Sequence, residues 1–161
     1  MESMKKYGLW MLIGVMLLAG CGGKTAEESH AGHEHATGDI QEATSSIDEL
    51  PTFLDGLHEN IGKVYLLAGE HAELLDFIPC FCGCGGSVGH RSNKNCFIQE
   101  IQADGTVIWD DHGTRCAVCM EIVVLSAKMK AEGKSDKEIR LFIDETYQKG
   151  YAAPTPTPMP A

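Results

Sequence analysis

Six of the seven cysteines fall between positions 80 and 119 of this 161-residue chain, and they fall in groups: Cys80, Cys82 and Cys84, then Cys96, then Cys116 and Cys119. The first group sits in Pro79-Cys80-Phe81-Cys82-Gly83-Cys84-Gly85-Gly86. Three glycines and a leading proline keep that stretch out of regular helix or strand, so it reads as a loop that wraps several thiols around one point. Cys116 and Cys119 lie about 60° apart on a helix and so share one face. His112, four residues ahead of Cys116, approaches the same face, and His90 lies in the segment between the loop and Cys96. A domain of about a hundred residues with this spacing must bring the loop and the Cys-x-x-Cys helix together or leave six thiols without a common purpose.

Three chemistries fit the pattern. Thiolates are soft ligands that select copper(I), zinc or iron–sulfur clusters, and imidazoles complete such shells. On this reading the ligands are Cys80, Cys82, Cys84, Cys96, Cys116 and Cys119 with His90 and His112, with copper(I) favoured and zinc possible. Outside the cytoplasm the same six cysteines could instead form three disulfides, which would make a metal-free binding module. Cys116 and Cys119, at a helix start where the dipole stabilises a thiolate, could also serve as a redox pair. The strand–helix setting of thioredoxin-type motifs is absent, since a strand pair precedes this one.

Other sites lack their residues. Covalent haem needs histidine directly after Cys-x-x-Cys, and Met120 stands there. No Gly-x-Ser-x-Gly elbow is present. Asp110 and Asp111 read as a solvated cap, not a catalytic pair. No catalytic residue is assigned, and a binding role is favoured over an enzyme. The net charge of −10, from 13 Lys and Arg against 23 Asp and Glu, disfavours nucleic acid and favours cations.

The N-terminus carries Lys5 and Lys6, a short apolar run from Gly8 to Leu18, and then Ala19-Gly20-Cys21. The run is shorter than the roughly 20 residues that a spanning helix needs. It reads as a signal peptide over residues 1–20. Leu18-Ala19-Gly20-Cys21 resembles the bacterial lipobox, which makes Cys21 the lipidation candidate. The expected location is the cell membrane, lipid-anchored on the extracytoplasmic face, with the membrane and another metal- or redox-handling protein as partners.

Residues 21–46 lack apolar periodicity and read as a flexible tether containing His30, His33 and His35, a tract that collects metal weakly or is merely polar. The domain is expected over 47–151. Within it, 47–57 has near-helical apolar spacing, 61–78 reads as one or two short helices broken at Gly69, and 96–101 with 106–109 form a hairpin. A helix from near Thr114 to Lys130 carries the stripe Val118, Ile122, Leu125 and Met129. Ser135-Asp136-Lys137-Glu138 is a capping box that opens a last helix burying Ile139, Phe142, Ile143 and Tyr147. Trp109 and Tyr65 read as core. Pro154 to Pro160 alternates proline with small residues and reads as a stiff, unpacked tail over 152–161. The expected fold is mainly α with a small β-hairpin, a compact single domain whose Cys-rich loop packs on the Cys-x-x-Cys helix.

Pro79-Cys80-Phe81-Cys82-Gly83-Cys84 resembles the signature of the bacterial PCYCGC-motif lipoproteins, with Phe81 where the family has tyrosine. Gly89-His90, Cys96-Phe97, Trp109, His112 ahead of Cys116-x-x-Cys119, and Gly133-Lys134-Ser135 follow the same arrangement. The resemblance implies a membrane-anchored extracytoplasmic lipoprotein and supplies no activity.

Overall fold

The computed structural model describes His33–Glu34 and residues 38–161. The expected signal peptide, Cys21, His30 and His35 lie outside the described residues. Five α-helices and a small antiparallel sheet make up the described fold. Strands β1 (His33–Glu34), β2 (Ile40–Thr44), β3 (Ile98–Ile101) and β4 (Val107–Asp110) lie in the order β1-β2-β4-β3. The hairpin read from the sequence is β3 with β4, in a register that pairs Ile98 with Trp109 and Ile101 with Val107.

Strand β2 corrects the expected domain edge. Residues 40–44 stood inside the expected tether, yet they pair with β4 from Gln41–Asp110 to Thr44–Val107. The pattern was hidden because the burial is mostly polar: Gln41 and Thr44 are buried, and each has a partner. The indole Nε1 of Trp109 donates to Thr44 Oγ1 at 2.8 Å, and the Gln41 amide donates to Asp110 at 2.9 Å. Buried side chains of this kind are tolerated because their hydrogen bonds are made.

Helices α1 (Glu59–Glu70), α2 (Ala72–Leu75), α3 (Gly85–Val88), α4 (Ala117–Ala131) and α5 (Asp136–Tyr147) follow the sequence reading in outline. The break in 61–78 falls at His71, and 47–57 contributes only a 3₁₀ turn at Thr52–Leu54. Ser135 and Glu138 form the expected reciprocal cap of α5. Helix α4 packs on α1 and α5. Covered from two sides, it buries Cys119, Ile122, Val123, Ser126 and Ala127, so its buried arc is centred one residue past the expected stripe, and Val118, Leu125 and Met129 are half-buried. On α5, Ile139, Ile143 and Tyr147 are buried while Phe142 stays 43% exposed. Tyr65, Phe97 and Trp109 are fully buried; the Tyr65 ring meets that of Phe97 edge-on at 5.1 Å, and its hydroxyl donates to the Asp110 carbonyl at 2.7 Å.

The tail is extended but packed, a second correction. Ala152 N–H donates to the Phe81 carbonyl at 3.2 Å, and Arg140 reaches Thr157 Oγ1 at 2.7 Å and the Pro158 carbonyl at 2.9 Å. A chain without an apolar stripe can still dock through its backbone groups, and those leave no trace in side-chain periodicity.

Candidate metal centre

Three chain segments deliver the four thiols of the cluster. The loop after Pro79 carries Cys80 and Cys82. A 3₁₀ turn, Asn93–Cys96, carries Cys96 into the start of the hairpin, and the first turn of α4 carries Cys119. Asn93 joins these parts: its N–H donates to the Ile78 carbonyl at 2.7 Å, and its side-chain amide reaches the Cys119 carbonyl at 3.5 Å. Asn95 Oδ1 accepts from the N–H groups of Arg91 and Ser92 and holds the turn leading to Cys96. Asp110 Oδ1 caps the 3₁₀ turn Asp111–Arg115 by accepting from His112 N–H at 2.9 Å, which sets His112 beside the loop.

The sulfurs of Cys80, Cys82, Cys96 and Cys119 all lie within 4.8 Å of one another. Cys80 Sγ is 2.9 Å from Cys82 Sγ, 3.7 Å from Cys96 Sγ and 3.7 Å from Cys119 Sγ; Cys96 Sγ is 3.2 Å from Cys119 Sγ. Four thiolates at about 2.3 Å from one tetrahedral ion stand about 3.8 Å apart, so the donor set fits an ion with only small movements. Cys80, Cys96 and Cys119 are buried, Cys82 is half-buried, and all six domain cysteines are free thiols.

The eight candidate ligands do not make one shell. Cys84 belongs to a second group with Cys82 and His112, and His90 to a third with Asp39 and His112. Cys116 belongs to none of these groups, although its thiol interacts with those of Cys119 and Cys82. His90 Nδ1 stands 3.5 Å from Cys96 Sγ, and its ring meets that of His112 edge-on at 4.8 Å.

Protons are unevenly held across the cluster. The thiols of Cys116, Cys119, Cys80 and Cys96 hydrogen-bond to Cys82 and hold it far below the ordinary thiol range. Cys80 is also lowered, chiefly by Cys119. Cys119 is pushed far up by its bonds to Cys116, Cys80, Cys82 and Cys96, because a second thiolate there would meet the first. At Cys96, the bond to Cys119 lowers the thiol, but Cys80, Cys82 and burial outweigh it and leave it well raised. Cys84 is pushed up to about 11 by burial and then by Cys82. Cys116 is raised as well: Cys119 lowers it, and Cys82 and burial reverse the balance. His112 rises to about 9, first through its bond to Cys82 and then through Asp39, against burial. His90 is lowered by burial and by His112.

Among the described residues no Lys or Arg hydrogen-bonds to any of the six sulfurs. A buried cluster in which some thiols are lowered and others raised accepts further ionisation when a cation enters, since ligation displaces the protons. The donor set therefore suits a thiophilic ion.

Sequence reasoning missed several parts. Asp39 is buried; its carboxylate meets Arg115 at 2.5 Å and His112 Nδ1 at 3.3 Å. Arg115 also pairs with Asp111 at 2.9 Å. Asp110 does cap, as read, whereas the Asp111 carboxylate accepts from the Ile40 N–H and pairs with Arg115; both are buried instead of solvated. Thr155 belongs to the loop's support: it lies over Gly85, where a Cβ would collide with the Thr155 methyl and come within 3.0 Å of the His90 carbonyl. The alternation Cys-Gly-Cys-Gly-Gly was the available signal for that close approach.

Comparisons place this geometry in a family. No curated protein and no solved structure matches the chain. The model of a family described as a protein of unknown function with PCYCGC motif matches residues 10–160, which takes in the loop, both histidines, the Cys-x-x-Cys helix and the packed tail. This chain belongs to the PCYCGC-motif family.

Proposed function

We propose that this chain is a lipid-anchored, extracytoplasmic, thiol-rich metal-binding protein that scavenges, buffers or hands over a thiophilic ion at the membrane surface. The observation that carries the reading is the convergence of Cys80, Cys82, Cys96 and Cys119 from separate segments to within 4.8 Å. Copper(I) is the favoured cargo and zinc the second. Both accept thiolates, and a buried site shielded from water suits the softer ion. The anchor rests on the lipobox-like Leu18-Ala19-Gly20-Cys21, where two acyl chains would supply about 0.8 kcal/mol per buried CH₂.

Elemental analysis together with a free-thiol count on anaerobically purified protein tests the metal. The expected result is bound metal, with all domain thiols titratable after its removal. Absence of metal together with absence of free thiols would instead favour the disulfide module, for which Cys96 and Cys119 at 3.2 Å are the closest pair joining two distant segments. For the anchor, Cys21→Ser is expected to release the protein from the membrane fraction or to block leader removal. A Cys21→Ser protein that matures and stays membrane-bound rules the anchor out.

A further inference from the structure

The two thiol-containing ligand groups overlap at one atom. Cys82 Sγ belongs to the four-sulfur group and also to the group with Cys84 and His112. A thiolate has lone pairs enough for two ions. We propose that the centre is binuclear, with Cys82 bridging an inner ion on Cys80, Cys96 and Cys119 to an outer ion on Cys84 and His112. The proposal rests on the metal-binding reading and adds the number of ions, the bridge and the division of ligands.

The two halves differ in burial and in donor type. The inner group is all sulfur, with three of its four residues buried; the outer group is sulfur and nitrogen, and all three of its residues are half-buried. His112 is already oriented for its part. Nδ1 faces Asp39 at 3.3 Å, which leaves Nε2 as the nitrogen for the ion, the arrangement in which a carboxylate fixes the tautomer of a metal-bound imidazole. Asp39 itself is held by Arg115, so it acts as the orienting partner and not as a ligand. Cys84 is otherwise unexplained: its thiol meets the Cys82 thiol and, at 4.0 Å, the Cys82 carbonyl, while its N–H donates to Cys82 Sγ.

For a divalent ion such as zinc, charge favours the pair over a single ion; for copper(I) the two cases leave the same charge. One divalent ion on four thiolates leaves two negative charges uncompensated in a largely buried site, which is costly. A second divalent ion that takes Cys84 as a fifth thiolate and a neutral imidazole leaves one. The outer position, being half-exposed, is where an ion enters and leaves.

Cd(II) is a suitable probe because it is thiophilic and its 113 isotope is observed directly by NMR. On the full-length chain carrying Cys21→Ser, to remove the unrelated thiol, two equivalents of Cd(II) are expected to bind. They should give two 113Cd resonances that split each other through the shared sulfur. Two ions sharing one thiolate stand no more than twice the metal–sulfur bond apart, about 4.6 Å for zinc and a few tenths of an ångström more for the larger Cd(II), and X-ray absorption should show that metal–metal distance. The double variant Cys84→Ser/His112→Gln is expected to lose the second equivalent and one resonance while keeping the other. Saturation at one equivalent with a single resonance would overturn the binuclear centre and leave the metal-binding reading standing. Two resonances that both survive in the double variant would also overturn it. Binding of no Cd(II) at all would remove the metal-binding reading, and the binuclear centre with it. If the double variant fails to fold, the splitting in the Cys21→Ser protein still decides.

Discussion

Thr155 and Cys80 are bonded twice. The Cys80 N–H donates to Thr155 Oγ1 at 2.9 Å, and the Thr155 N–H donates to the Cys80 carbonyl at 3.1 Å. The tail thereby runs alongside the first ligand of the thiol loop like one more short strand, and Arg140 fastens it further on.

Deleting residues 154–161 should therefore destabilise the domain. Loss of the Cys80–Thr155 pair and the Arg140 contacts is worth about 1–3 kcal/mol, and several degrees in melting temperature for a domain of this size. The apo protein should show the effect by calorimetry. An unchanged melting temperature would mean that the tail is not packed in solution.

Gly113→Ala should damage the centre without touching a ligand. A Cβ there would collide with the Phe97 ring and come within 2.9 Å of the Cys96 carbonyl. Overpacking of this kind costs about 1–3 kcal/mol, and here the backbone that must give way carries Cys96. Metal titration should show weaker binding than the wild type, and thermal melts a lower midpoint.

Strand β2 belongs to the folding unit, and Thr44→Val tests that. The substitution keeps the shape and strands the buried Trp109 N–H, at a cost of about 1–3 kcal/mol. Thr44→Ser keeps the acceptor and should recover most of that loss in denaturant titrations. Equal stability of Thr44→Val and wild type would put 40–44 back in the tether.

Asp39→Asn should lower affinity for the ion without removing a donor atom. Loss of an outer partner that orients a metal-bound imidazole costs about 10–100-fold in affinity. Competition titration against a chromogenic chelator measures it. An unaltered affinity would show that His112 is not a ligand.

Cys82→Ser and Cys119→Ser should each lower both metal content and holo stability. The double variant should lose less than the two losses added together, with a coupling of about 0.5–3 kcal/mol, because ligands of one centre act as a unit. Chelator should lower the melting temperature of the wild type and leave that of the double variant unchanged. Additive losses would place the two sulfurs in separate sites.

Elements whose instructions are local were legible from the residues. Ser135 and Glu138 cap α5 because both partners of the cap lie within one turn. The β3–β4 hairpin follows from apolar runs on either side of a glycine-containing turn. The grouping of the six cysteines announced a convergence that the folded chain provides for Cys80, Cys82, Cys96 and Cys119.

What stayed hidden depends on partners far along the chain. Asp39 sits beside Arg115 and His112, and Gln41 beside Asp110, although about seventy positions separate them. Each is a polar residue whose burial is permitted only by a hydrogen bond from a distant strand or turn, and side-chain periodicity records apolar burial alone. The tail docks through backbone groups common to every sequence, so composition could say that it was extended but not that it was held. The division of eight candidate ligands into overlapping groups was likewise decided in three dimensions. The spacing of cysteines along a chain states which thiols are near in sequence, whereas the angle between the loop, the 3₁₀ turns and α4 determines which sulfurs share a point.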